Sequence, residues 1–205
     1  MLGKRIINTG GGGAACTTDT TQILDAGTTQ STALYRFEAN ANDTASGTGK
    51  FNKGAVFNGS SSRIDLPTGD LGLGTNNFSA SLWFNSADIA QNDQSLFWIQ
   101  HYQSPIRFGA SISSSAYGGD NDIRFYCQIG STGYQAYTNS DIINSNTWYH
   151  VVLVKSSVSG MIVYINGSSV ATNTGATGNC TNTVTSGGTN TIGAYQTTAS
   201  SGYLN

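Results

Sequence analysis

Cleaving a glycosidic bond takes two carboxyl groups at a defined separation, so carboxylates come first. Of eleven acidic residues, Glu38 is the one glutamate. Asp120 and Asp122 are two apart, a spacing that on a strand would put both on one face. They fall instead in a Gly-rich run, Tyr117-Gly118-Gly119-Asp120-Asn121-Asp122. His150 stands in an aliphatic run beside Trp148 and Tyr149, where a histidine reads as a hydrogen-bonded sheet residue rather than a base. His101 lies next to Tyr102 in a loop and could face a ligand. No Ser-His-Asp arrangement emerges, and cysteine–histidine spacing for zinc is missing. We expect no catalytic residues and no enzyme.

Binding is the better-supplied chemistry. Sugars are held by flat aromatic faces against their C–H faces, with amides and carboxylates taking the hydroxyls. His101, Tyr102, Tyr117 and Tyr134, together with Asp120, Asn121 and Asp122, have that composition. They are the expected glycan-binding residues.

The elements that must position them are strands. Only 10% of the 205 residues are charged, well under the usual quarter, and Ser, Thr, Asn and 26 Gly take their place. Such a composition disfavours helices and favours strands joined by polar turns. The centre is Thr147 to Gly167. Trp148-Tyr149-His150-Val151-Val152-Leu153-Val154 carries four aliphatics in a row, as for a strand covered on both faces. A Ser/Gly turn leads to Met161-Ile162-Val163-Tyr164-Ile165, which ends in the turn signal Asn166-Gly167. Further strands are expected at 33–38, 77–84, 95–100, 106–112, 123–129, 134–137 and 189–195. Residues 51–67 read as two short strands about Asn58-Gly59. Trp83 and Trp148 are expected in the core.

Length fits a single all-β sandwich. With net charge −2 and pI near 5.5, nothing attracts a phosphate backbone, so no nucleic-acid partner is expected. No apolar run approaches the roughly 20 residues that span a bilayer, so no membrane partner is expected either. The N-terminus starts basic but has no apolar segment behind it, unlike a secretory signal. Three cysteines, Cys16, Cys127 and Cys180, make no disulfide framework. Free thiols are expected, with Cys127–Cys180 as a conceivable pair. Residues 1–32, with Gly10 to Gly13, read as a glycine-rich arm, for assembly or as a linker, ahead of a domain at 33–205.

Trp148-Tyr149-His150-Val151-Val152 followed by Tyr164-Ile165-Asn166-Gly167 resembles the central hairpin of laminin-G-like, concanavalin A-like jelly-roll domains. Gly54-Ala55-Val56-Phe57-Asn58-Gly59 and the strand with Phe78, Ser79 and Trp83 follow the same family order. The resemblance implies an all-β fold, a two-sheet antiparallel jelly-roll sandwich. It makes calcium possible as a cofactor, with Asp43, Asp120 and Asp122 as ligands. It also implies a closing strand of the form Gly-x-Ile-Asp-x-Val-Arg, which does not follow Tyr203-Leu204-Asn205. The related glucanases carry a Glu-x-Asp-x-x-Glu strand that this sequence lacks. The opening, Gly10 to Gly13 and then Cys16-Thr17-Thr18-Asp19-Thr20 with Gln22-Ile23-Leu24, is similar to starts of bacteriophage structural proteins. The expected function is therefore a non-enzymatic decoration or adhesion module of a virion. It would bind host-surface glycans, join other virion proteins through its arm and form a homo-oligomer. The alternatives are a bacterial surface carbohydrate-binding domain or a glycoside hydrolase.

Overall fold

The computed structural model describes residues 46–50, 52–66, 77–90, 93–101, 108–113, 121–138, 141–178, 180, 189–195 and 202–204. The chain divides into two units, Met1–Phe37 and Glu38–Asn205, and everything described belongs to the second. The arm and the strand expected at 33–38 lie outside the described residues.

Every regular element among the described residues is a strand. They run β1 (Ser46–Gly49), β2 (Asn52–Ala55), β3 (Ile64–Leu66), β4 (Phe78–Phe84), β5 (Gln94–His101) and β6 (Phe108–Ser113). They continue with β7 (Asp122–Ile129), β8 (Thr132–Tyr137), β9 (Tyr149–Ser156), β10 (Gly160–Ile165), β11 (Ser168–Asn173) and β12 (Thr189–Ile192). A four-stranded sheet has the order β11-β10-β9-β4. A six-stranded sheet has the order β3-β12-β5-β6-β7-β8, and β1 and β2 form a hairpin of their own. All pairings are antiparallel. The architecture is the two-sheet jelly-roll sandwich expected.

Alternation explains the core. In β9, Tyr149, Val151, Leu153 and Lys155 point inward and are buried, whereas His150, Val152 and Val154 are half-exposed. Four aliphatics in a row thus do not mean a strand sealed on both faces: the outer valines keep part of their surface. The inner residues join Met161, Val163 and Ile165 of β10 and meet Phe108, Ala110, Ile112, Ile123 and Phe125 of the other sheet in one core. Phe78 bridges the layers, with its ring 4.2 Å from Phe108 and 6.3 Å, edge-on, from Phe125. Asn166 and Gly167 both adopt positive φ, 51° and 87°, the backbone a two-residue hairpin turn requires.

Three expectations are corrected. First, residues 51–67 do hold two short strands on either side of Asn58-Gly59, but the two do not pair with each other. β2 pairs with β1 and β3 pairs with β12, while the Asn58 side chain accepts the N–H groups of Ser60, Ser61 and Ser62 and folds the connection locally. Second, Trp83 and Trp148 are not core residues. Trp83 is 39% exposed because Phe78, Ala80, Leu82 and Phe84 take the inner face of β4 and leave Ser79, Ser81 and Trp83 outside. Trp148 is half-buried, and the buried indole is Trp98, 1% exposed. Third, Cys127 and Cys180 are joined in a disulfide, Cα–Cα 5.7 Å, rather than left as thiols. Cys127 faces inward from β7 and Cys180 follows the loop after β11, so the fold brings together residues 53 apart in sequence. That loop is tied again by Lys155. Its side chain runs along the inner face of β9, and its Nζ donates to the carbonyls of Ser156 and Gly178 at 2.8 and 2.5 Å.

Candidate functional site

The outer face of the six-stranded sheet gathers a set of aromatic and planar polar groups. Cross-strand register puts Ser111, Arg124 and Tyr137 in one row and Gly109, Tyr126 and Gln135 in the next, with Trp98 beyond Gly109. Two glycines let large rings lie flat on the sheet. A Cβ on Gly109 would stand 2.2 Å from the Trp98 ring, and one on Gly133 would stand 2.6 Å from the Tyr126 hydroxyl oxygen. The two rings differ in access. Trp98 is sealed by Tyr195, edge-on at 5.0 Å, and its Nε1 donates to Ser95 Oγ at 3.0 Å. Tyr126 stays half-exposed at 6.2 Å from Trp98.

Polar groups ring Tyr126. The Arg124 guanidinium carbon stands 5.6 Å from the centre of its ring, and Arg124 Nε donates to Gln135 Oε1 at 2.8 Å. The Tyr126 hydroxyl donates to Gln128 Oε1 at 3.4 Å. Burial raises the phenol's pKa and outweighs the opposing pull of Arg124, so the hydroxyl stays a neutral donor at physiological pH. Tyr137, 49% exposed, stands opposite Arg124 at the sheet edge. The set offers a flat half-exposed ring with the guanidinium over it and amide groups beside it, a chemistry that could hold a ligand.

Of the residues expected to bind glycan or calcium, Asp43, Tyr102, Tyr117 and Asp120 lie outside the described residues. His101 ends β5, opposite Thr189. Asn121 turns the chain into β7 with φ 62°, and its Nδ2 donates to Asp141 Oδ1 at 3.4 Å. Asp122 is 1% exposed and accepts a hydrogen bond from Thr138 Oγ1 at 3.3 Å. Tyr134 faces Cys127 and packs against the core. Asn121 thus immediately precedes β7 and Asp122 begins it, three and two residues before Arg124, while Tyr134 faces the opposite side of the sheet from Tyr126. Among the described residues no three His, Cys, Asp or Glu side chains gather to hold a metal ion.

Sequence reasoning missed Arg124, Tyr126, Gln135 and Tyr137. The signal was there: within Asp122–Ile129, Arg124, Tyr126 and Gln128 alternate with Ile123, Phe125 and Cys127, so one face is apolar and the other is polar and aromatic.

A cavity of about 290 Å³ opens beside the β2–β3 connection. Its charged groups, Arg63 and Asp65, satisfy each other at 2.8 Å, and none of the expected binding residues lines it.

A two-sheet antiparallel sandwich, with no helix among the described residues, is the architecture of the lectin-like jelly-roll class. The chain belongs to the concanavalin A-like lectin/glucanases superfamily, whose Laminin_G_3 sequence profile matches residues 58–205. Among solved structures it is similar to the native heptameric SAP-like pentraxin from Limulus polyphemus, at 21% identity over 60% of this chain and 53% of that chain, TM-score 0.39. The chain thus spans about half the length of that pentraxin. No curated protein sequence matches it.

Proposed function

We propose that the chain is a non-catalytic glycan-binding module that uses the outer face of β7 and β8. One observation carries the reading. The Tyr126 ring lies against Gly133 as a fixed, half-exposed platform, with Arg124, Gln128 and Gln135 placed to take hydroxyl groups around it. A sugar C–H face stacks on such a ring while the planar groups read its hydroxyls. Family membership supports it, because lectins share this superfamily. Glycan-array binding by the full chain, set against Tyr126→Ala, tests the reading. The variant loses signal while its melting temperature holds. Equal binding by both proteins overturns the proposal, as does reducing-sugar release from a bound glycan for the non-catalytic part.

The setting proposed is the surface of a virus particle, joined through residues 1–32. The short apolar pairs Ile6-Ile7 and Ile23-Leu24 beside a tetraglycine support it. The Cys127–Cys180 bond fits a working life outside a reducing cytoplasm, on a particle or on a bacterial surface. Deleting residues 2–30 should leave the sandwich folded and abolish its incorporation into particles or oligomers. Assembly at normal copy number without those residues would rule the arm out.

A further inference from the structure

A short strap joins the two sheets after β11. Its described residues, Thr174 to Gly178 and Cys180, lie outside the strands. Thr174, Gly175 and Thr177 are exposed, while Ala176 and Cys180 are buried. The Gly178 N–H donates to the Ser157 carbonyl at 2.9 Å, and the Gly178 carbonyl accepts from Lys155 Nζ. The far end is held by the Cys127–Cys180 bond. Cys127 is the fixed partner, set in register between Phe108 of β6 and Tyr134 of β8. Lys155 is 1% exposed, and one of its two carbonyl acceptors belongs to the strap.

The hold on this strap is mostly covalent. An alanine methyl buries little apolar surface, and each hydrogen bond is a modest net gain. The core instead rests on β6, β7, β9 and β10, whose ladders do not use the strap. Loss of the disulfide therefore returns chain freedom where the structure is least anchored, and the opening is local. Burial lowers the pKa of the Lys155 amine and so favours its nucleophilic neutral form, which leaves cover rather than charge to withhold it. We propose that the Cys127–Cys180 bond is a redox latch. While it is formed the strap shuts the Lys155 amine in, and a dithiol reductant opens the strap and exposes that amine while the sandwich stays folded. One thiolate of the dithiol attacks a cysteine sulfur and forms a mixed disulfide, releasing the other cysteine as a thiolate. The second thiol then displaces the bound cysteine. Two protons pass from the dithiol to the cysteines, and the dithiol leaves as a cyclic disulfide. The latch stands independently of the glycan-binding reading of the Tyr126 face.

The experiment acetylates the full chain with N-hydroxysuccinimidyl acetate before and after dithiothreitol. Peptide mass spectrometry reads Lys155 against Lys50, which is exposed. Modification of Lys155 relative to Lys50 should rise about tenfold or more on reduction. Amide exchange in the same samples should show Gly178 losing protection while Leu153 and Val163 keep theirs. Cys180→Ser, without reductant, should behave as the reduced chain does. Lys155 reacting as fast as Lys50 in the oxidised chain would overturn the latch. So would a Lys155 still shielded once both thiols are shown to be free, or a loss of protection at Leu153 and Val163 together with Gly178.

Discussion

The phenol of Tyr126 lies across the α-carbon of Gly133 on the neighbouring strand, so closely that a Cβ there would stand 2.6 Å from its oxygen. What yields to a methyl group at that point is the far end of one half-exposed side chain. Gly133→Ala should tilt the ring off the sheet and cost glycan binding while changing stability by under about 1 kcal/mol. Gly109→Ala meets different resistance, because its Cβ would run into the sealed Trp98 ring at 2.2 Å and the Phe97 carbonyl at 2.8 Å. That change should cost about 1–3 kcal/mol. Denaturant titrations of the two variants compare the costs directly, and equal losses would refute the distinction.

The two indoles Trp98 and Trp83 should separate in the same way. Trp98→Ala empties a space closed by Tyr195, Tyr126 and the sheet, and should cost about 3–5 kcal/mol. Trp83→Ala removes a ring that is 39% exposed and should cost under about 2 kcal/mol, less than the full burial of a large apolar side chain. Thermal melts of both give the test.

Breaking the Cys127–Cys180 bond frees a chain separation of 53 residues. Loop-closure entropy puts the loss at about 4 kcal/mol. The urea midpoint should fall accordingly in reductant, and by a similar amount in Cys180→Ala. A midpoint indifferent to reductant, with the thiols shown to be free, would contradict it.

Burial lowers the pKa of the Lys155 amine. Between that folded value and the unfolded one near 10.4, the unfolded chain carries the extra proton. Stability should therefore rise with pH through that window and be lowest below the folded value. Tyr126 works in the opposite sense. Its raised pKa means the unfolded phenol loses its proton first, so stability falls above about 10. Denaturation midpoints measured from pH 8 to 10 should climb in the native chain and climb less in Lys155→Met.

Ser111 Oγ is buried without a hydrogen-bond partner among the described residues. An orphaned polar group costs about 1–3 kcal/mol, so Ser111→Ala should be neutral or stabilising. A clear drop in melting temperature would mean the hydroxyl has a partner after all.

The sequence by itself determined the sandwich. Period-two alternation and polar turns are local facts, and β4, β5, β7, β8 and the β9–β10 hairpin fall where they were read because each strand declares its own inner face. The tertiary structure decided which strands pair and hence which residues meet. Asn58-Gly59 read as a turn between two short strands, yet β3 finds its partner in β12, more than 120 residues further on, and local turn chemistry holds no information about that choice. Trp83 and Trp148 looked like core because Trp83 sits between Leu82 and Phe84 and Trp148 begins the most aliphatic strand, but facing is set by parity along the strand, and Trp98 holds the sealed place. The disulfide needed β7 and the loop after β11 to close on each other. The Tyr126 surface needed three strands in register, since its platform, its supporting glycine and its polar rim come from β7 and β8 with β6 behind them.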